Sequence, residues 1–289
     1  MGVSKRRKNK EKKFRDKFVP RPFAGLNGEA NWVAVRELFP AATAPLTLTG
    51  EWAEKAEGRS ITLTTVLPLA WPAMSHEDGS ILIAAQRHFQ SGDISRDIAT
   101  SIIAALDTEP GKQIPVPNRP APGPRLQDVL DTEQPLELTL HEDFSYWLAD
   151  DVDSEDPEVK ASLERANESI FPIELLDAPG AHWCQTSENV HIRVMLLDDE
   201  DAAMKALARL SAADSLKLTS ESKFAGMFRA HGLLVPVWDL PVSTKPNDTE
   251  EPVREFLERY RSCLEAGADL SATERRARDG LIGRQLSIR

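Results

Sequence analysis

The sequence predicts an α+β protein. Two related helix–strand lobes are joined by a Pro-rich linker, with a helical C-terminus and a disordered basic N-terminal arm. Three observations predict this. Runs with a period of two alternate with runs at helical spacing. These runs flank a segment, 107–124, that holds six prolines. The charge is also divided: residues 1–17 carry nine basic and two acidic side chains, a net +7, and 18–270 carry a net −21. At 289 residues the chain is long enough to build a sizeable core, and a compact chain of this size buries roughly 75% of its unfolded surface.

Residues 1–18 are a run of Lys, Arg, Asn and Glu with little apolar content. Such a segment cannot offset its ordering entropy, so it is expected to be disordered. The first lobe, 19–106, begins with Trp32, Val35, Leu38 and Phe39 at helical spacing, stopped by Pro40. Leu46 and Leu48 alternate with threonines, as do Ile61 and Leu63, and each run predicts a strand with one face on a core. Ser80 to Phe89 reads as a third strand. Asp93 is placed to cap a helix carrying Ile94, Ile98, Ile102 and Leu106. Proline at the density of 107–124 blocks helix and ladder hydrogen bonds, which predicts an extended linker.

The second lobe, 125–289, opens on a short strand at Leu136, Leu138 and Leu140. Asp156-Pro157 starts a helix, with Pro157 at its first position. A short apolar run from Ile173 to Leu176 follows, and Val190, Ile192, Val194 and Leu196 form an alternating strand. Asp198 to Asp201 lie at the start of a helix, where the macrodipole favours negative charge. Phe224, Phe228 and His231 suggest a helix closed by Gly232, and Leu233 to Trp238 a strand. Pro252 is read as opening a helix with the stripe Val253, Phe256, Leu257, Tyr260 and Leu264, and Ser271-x-x-Glu274 as a capping box for the last. Helix, strands and helix on both sides of the linker suggest a diverged duplication, which related strand orders would support.

Cys184 and Cys263 lie far apart and no CxxC occurs, which excludes a disulfide framework and a four-cysteine zinc site. Sparse cysteine suits a reducing cytoplasm. No apolar signal-peptide core follows the basic start, and no run approaches the about 20 apolar residues of a membrane helix, so no membrane association is expected. There is no P-loop, GxGxxG after a strand, GxSxG or HExxH.

His76-Glu77-Asp78 and His141-Glu142-Asp143 are tempting acid–base or metal clusters. Neighbouring side chains on a strand diverge, so a turn at His76–Gly79 and a helix start at His141–Asp143 explain them better. His182, Cys184 and His191 could flank a hairpin and hold zinc, although their spacing matches no established motif. The acidic run Asp150 to Glu158 fails as an EF-hand, since Asp156 stands where glycine is needed and Ser162 where glutamate is needed. Neither a cofactor nor a metal site is expected. Trp32, Trp71, Trp183 and Trp238 read as core, whereas Trp52 and Trp147 lie among charges and could line a groove.

The motifs Val19-Pro20-Arg21-Pro22-Phe23-Ala24-Gly25-Leu26, Asn31-Trp32-Val33-Ala34-Val35-Arg36-Glu37 and Pro40-Ala41-Ala42-Thr43-Ala44-Pro45 carry a resemblance. They resemble the start of an uncharacterised actinobacterial family of unknown function. Some members of that family carry a SecA-type C-terminal zinc motif, which this chain lacks. The resemblance implies no catalytic residues, and it links the chain to protein export by neighbourhood alone.

The expected function is a cytoplasmic, non-enzymatic binding or adaptor protein. Lys5, Arg6, Arg7, Lys8, Lys10, Lys12 and Lys13 would contact the phosphates of nucleic acid or of a ribosome-bound complex. A protein partner is the other possibility, and the oligomeric state is not legible. One alternative is an enzyme with an inter-lobe site built from dispersed acids and His88, His141, His182 or His191, acting on a cationic or metal-bound substrate. Another is an accessory factor in protein export.

Overall fold

A computed structural model describes residues 17–88, 90–117, 121–149 and 156–284. The expected disordered arm falls almost wholly outside these residues.

The chain enters along Phe23 and Leu26, both buried, and turns at Gly28 into helix α1, Glu29–Glu37. Gly28 has φ 78°, and a Cβ there would lie 3.3 Å from the backbone nitrogen of Leu136, so glycine suits both the turn and the close approach. All of α1 except Asn31 and Glu37 is buried, as expected of a helix enclosed by other elements. Arg21 ties its start, with Nε and Nη2 donating to the two Glu29 carboxylate oxygens at 2.6 and 2.7 Å. Arg21 Nη2 also donates to the Leu197 carbonyl at 2.7 Å, reaching the second half of the chain.

The first sheet comprises β1 (Ala42–Pro45), β2 (Ile61–Thr64), β3 (Ala73–Ser75), β4 (Ile81–Ala84) and β5 (Thr139–Leu140), in the order β3-β4-β2-β1-β5. Helix α2 (Gly50–Ala56) links β1 to β2. Only β2 and β4 run parallel. The strand expected at Leu46–Leu48 sits earlier, at Ala42–Pro45, and Leu48 makes a lone bridge to Leu130. Helix α3, Ile94–Leu106, is capped by Asp93 and packs on the sheet and on α4, Leu126–Val129. The Pro-rich stretch therefore runs from α3 to α4 against the same core, with Ile114 buried and Val116 packed on it. The leucine strand that follows adds to the first sheet as β5.

Helix α5, Pro157–Asn167, starts as expected, with Asp156 accepting from the backbone of Glu158 and Val159. The rest of the acidic run, 150–155, lies outside the described residues. The second sheet comprises β6 (Ile173–Leu175), β7 (Ala181–Gln185), β8 (Val190–Val194), β9 (Lys223–Ala230) and β10 (Leu233–Leu240), in the order β6-β7-β8-β10-β9 and antiparallel throughout. Its strand order and direction differ from those of the first sheet, which removes the support for two related lobes.

The helix expected at 224–231 is strand β9. Phe224 and Phe228 are four apart, and that spacing suits one face of a helix and one face of a strand equally. A bulge at Ala225 then separates them. Phe224 meets Trp238 on one face of the sheet, while Phe228 joins the core on the other. His231 and Gly232 both have positive φ, 46° and 81°, and form the tight turn to β10.

One core joins α1, α3, the first sheet and the inner face of β9 and β10, including Phe228, Val235 and Val237. A second core covers the outer face of the second sheet. Trp183, Ile192 and Trp238 there meet α6 (Glu200–Ala212), α7 (Asn247–Glu265) and Leu281 of α8 (Ala272–Ile282). Pro252 lies inside α7, a turn later than expected of an opening proline. The Ser271–Glu274 capping box of α8 is formed. Trp32, Trp183 and Trp238 are buried as expected, but Trp71 is 41% exposed.

Phe256 of α7 is fully buried and meets Trp238 edge-on, with centroids 4.7 Å apart. Phe256→Ala is expected to cost about 3–5 kcal/mol of unfolding free energy, the usual range for emptying such a site. Urea denaturation checks it, and a loss below about 1 kcal/mol would mean that the helices do not hold this sheet face.

Candidate functional site

The second sheet is apolar on its helix-covered face and polar on part of its inner face. Strand alternation and register produce this pattern. Cys184, His191 and Asp239 are paired across β7, β8 and β10 to form one row, and His182, Arg193 and Val237 form the next. The intervening residues Trp183, Ile192 and Trp238 point to the helices.

This inner face borders a cleft of about 700 Å³. Its other walls are the end of α1 with Phe39 and Pro40, Val66 after β2, Gln86 after β4, Phe144, and Ser169 and Phe171 after α5. Ala225, at the bulge, and Phe228 complete the β9 side. The volume and the mostly apolar, aromatic lining with a few polar groups are those of small-molecule sites.

Two carboxylates line the cleft, and each has a partner. His191 Nδ1 donates to Asp239 Oδ1 at 2.8 Å. The carboxylate accepts, so that bond uses the Nδ1 proton and leaves Nε2 for another partner. His231 Nε2 donates to Glu37 Oε1 at 2.7 Å, and Arg36 Nε lies 3.6 Å from the same oxygen. Arg36 is itself nearly buried, and burial lowers its pKa. Arg193 is the other charged residue on the lining. It is half-buried, and no hydrogen bond or ion pair joins it to the described residues.

His182 lies beside Arg193 with its ring edge-on to Phe39, centroids 5.4 Å apart. It is 1% exposed and its Nε2 has no partner among the described residues. Burial, and then the charge of Arg193, push its pKa down to about 3, so the ring is neutral. Cys184 is also buried, and burial pushes its thiol up, which disfavours the nucleophilic thiolate. No thiol or hydroxyl of the described residues hydrogen-bonds the His191 ring.

Of the histidines singled out in the sequence, only His191 lines the cleft. His182 is buried in the same sheet face, His141 bonds Thr43 Oγ1 at 2.8 Å, and His88 is exposed. His182, Cys184 and His191 do share a sheet face. Among the described residues, however, no group of three or more His, Cys, Asp or Glu is placed to hold a metal ion. His76–Gly79 forms a turn, and Asp143 accepts from Ser145 at the start of a short helical turn. Trp147 lines a separate apolar groove beside α5. Lys5, Arg6, Arg7, Lys8, Lys10, Lys12 and Lys13 lie outside the described residues. Sequence reasoning missed Glu37, Arg193 and Asp239. The 191/193 alternation on one strand could have flagged Arg193.

The family of unknown function DUF5926 matches residues 22–289. The chain belongs to this family. No curated protein and no solved structure matches it. The DUF5926 match takes in every wall of the cleft, and it extends the resemblance of the opening motifs across both sheets. No helix among the described residues is long and apolar enough to cross a membrane.

His182 should leave a pH signature on stability. Its folded pKa lies below the unfolded value near 6.5, so its contribution is complete above pH 6.5. As pH falls toward 3 the unfolded state takes up a proton that the folded state refuses, and stability drops by up to about 1.4 kcal/mol per pH unit. Urea unfolding of wild type and His182→Leu at several values between pH 7 and 4 checks this. Relative to wild type the variant should gain stability as pH falls from 7 to 4; parallel curves would mean that folding leaves the His182 pKa unshifted.

Proposed function

We propose that this chain is a cytoplasmic, non-enzymatic binding protein whose ligand is a small molecule held in the cleft between the two sheets. The observation that carries the reading is the cleft itself, about 700 Å³ with aromatic walls and the His191–Asp239 pair on its floor. That pair orients the His191 ring and leaves its Nε2 for a ligand. No thiol or hydroxyl of the described residues hydrogen-bonds that ring, and burial disfavours the Cys184 thiolate, which supports binding rather than covalent catalysis. Two free cysteines fit a reducing compartment.

Ala225 lines the cleft from the β9 bulge, so Ala225→Trp should fill it. Wild-type protein is expected to bind the neutral apolar dye Nile red with a saturable rise in fluorescence. Folded Ala225→Trp should lose most of that signal. Equal saturation in the two proteins would place the dye elsewhere and sink the reading.

The +7 charge of residues 1–17 supports a second contact, with nucleic acid or a ribosome-bound complex. A cationic segment binds phosphates by releasing counterions. Retention on immobilised RNA or DNA at low salt should fall by at least tenfold when 1–17 are deleted. Retention that is unchanged would remove this segment from the function.

A further inference from the structure

Charges that line a cleft are either satisfied by the protein or left for a ligand. Here Asp239 is satisfied by His191 at 2.8 Å and Glu37 by His231 at 2.7 Å. Arg193 is not: its guanidinium is half-buried on the cleft wall without a hydrogen bond or ion pair to the described residues. A guanidinium carries five donors, and the described residues accept from none of those of Arg193, which leaves them to solvent or to a ligand. The residues paired directly with it supply no counter-charge, since they are His182 and Val237 and His182 is neutral.

We propose that the cleft takes a small monoanionic carboxylate with an apolar, aromatic-sized body. Its carboxylate is received by Arg193, and its body lies against Phe39, Phe171 and Phe228. The proposal rests on the cleft reading above and adds the chemical class of the ligand. Arg193 presents a planar fork that matches a carboxylate bidentately. A cationic ligand would meet only carboxylates that already accept from a histidine, Glu37 and Asp239. A phosphate dianion would bring two charges to one arginine on a wall that also holds two carboxylates, within a body of net charge −21. Arg193 is the charged group of the lining whose side chain has no hydrogen-bonded or ion-paired partner among the described residues.

The full chain is titrated with naphthoate, its neutral counterpart naphthylmethanol, and naphthyl phosphate. Displacement of Nile red and calorimetry report binding, for wild type, R193Q and R193K. Arg193 is half-exposed, and thermal melts confirm that the variants are folded. Naphthoate should bind wild type at least tenfold more tightly than naphthylmethanol, as expected of a charge-assisted contact. R193Q should erase that preference and leave naphthylmethanol binding unchanged, while R193K keeps part of it. Equal affinity for acid and alcohol in wild type overturns the proposal, as does a preference that survives in R193Q. Tighter binding of naphthyl phosphate than of naphthoate overturns the choice of a monoanion. In each of these cases saturable Nile red binding leaves the cleft reading standing, and its absence from wild type removes both.

Discussion

The second sheet is covered on both faces, and much of the structure follows from that constraint. Helices α6, α7 and α8 take its outer face, with Trp238 and Phe256 at the centre of the contact. The inner face meets α1 and the core of the first sheet. A polar side chain on that inner face must find a partner, remain neutral or border a cavity, because a buried charge without compensation is costly. The two rows across β7, β8 and β10 use all three solutions. His191 and Asp239 satisfy each other, His182 stays neutral, and Arg193 opens on the cleft.

Helix α1 makes this arrangement possible. It is too short to be stable alone, and nearly all of it is buried. Its start is fixed by the Arg21–Glu29 pair, and the same arginine reaches the carbonyl of Leu197. At its other end Glu37 accepts from His231 in the β9–β10 turn. The helix is thus tied at both ends to the second half of the chain, and the cleft opens where it stops, at Phe39 and Pro40. The bulge at Ala225 contributes from the opposite side. It turns Phe224 outward to Trp238 and leaves a small residue at the cleft wall. Bulges often re-aim side chains in this way beside sites.

Charge has to be read at two scales. The acidic body sets the long-range potential and disfavours polyanions as ligands of the body. Inside the cleft the decisive quantity is which charges already have partners. There the acids are engaged and the arginine is not, so the local preference runs opposite to the net charge.

Much of the fold class was legible in the sequence. Period-two runs located β2 and β8, the stretch read as a strand from Ser80 contains β4, and Asp93, Asp156 and Ser271 marked helix starts, because alternation and capping are local consequences of backbone geometry. The division into a basic start and an acidic body was likewise complete in the sequence. The tertiary structure decided what depends on contacts distant along the chain. It took β5 back to β1 across almost a hundred residues, turned an i, i+4 phenylalanine pair into a bulged strand, and gave the two sheets different orders. His191 and Arg193 were visible as alternate residues of one strand, but Asp239 and Glu37 join them only through strand register and helix packing. Those long-range pairings leave no periodic trace in a single sequence, so the division of charge belonged to the sequence and the unpaired arginine to the fold.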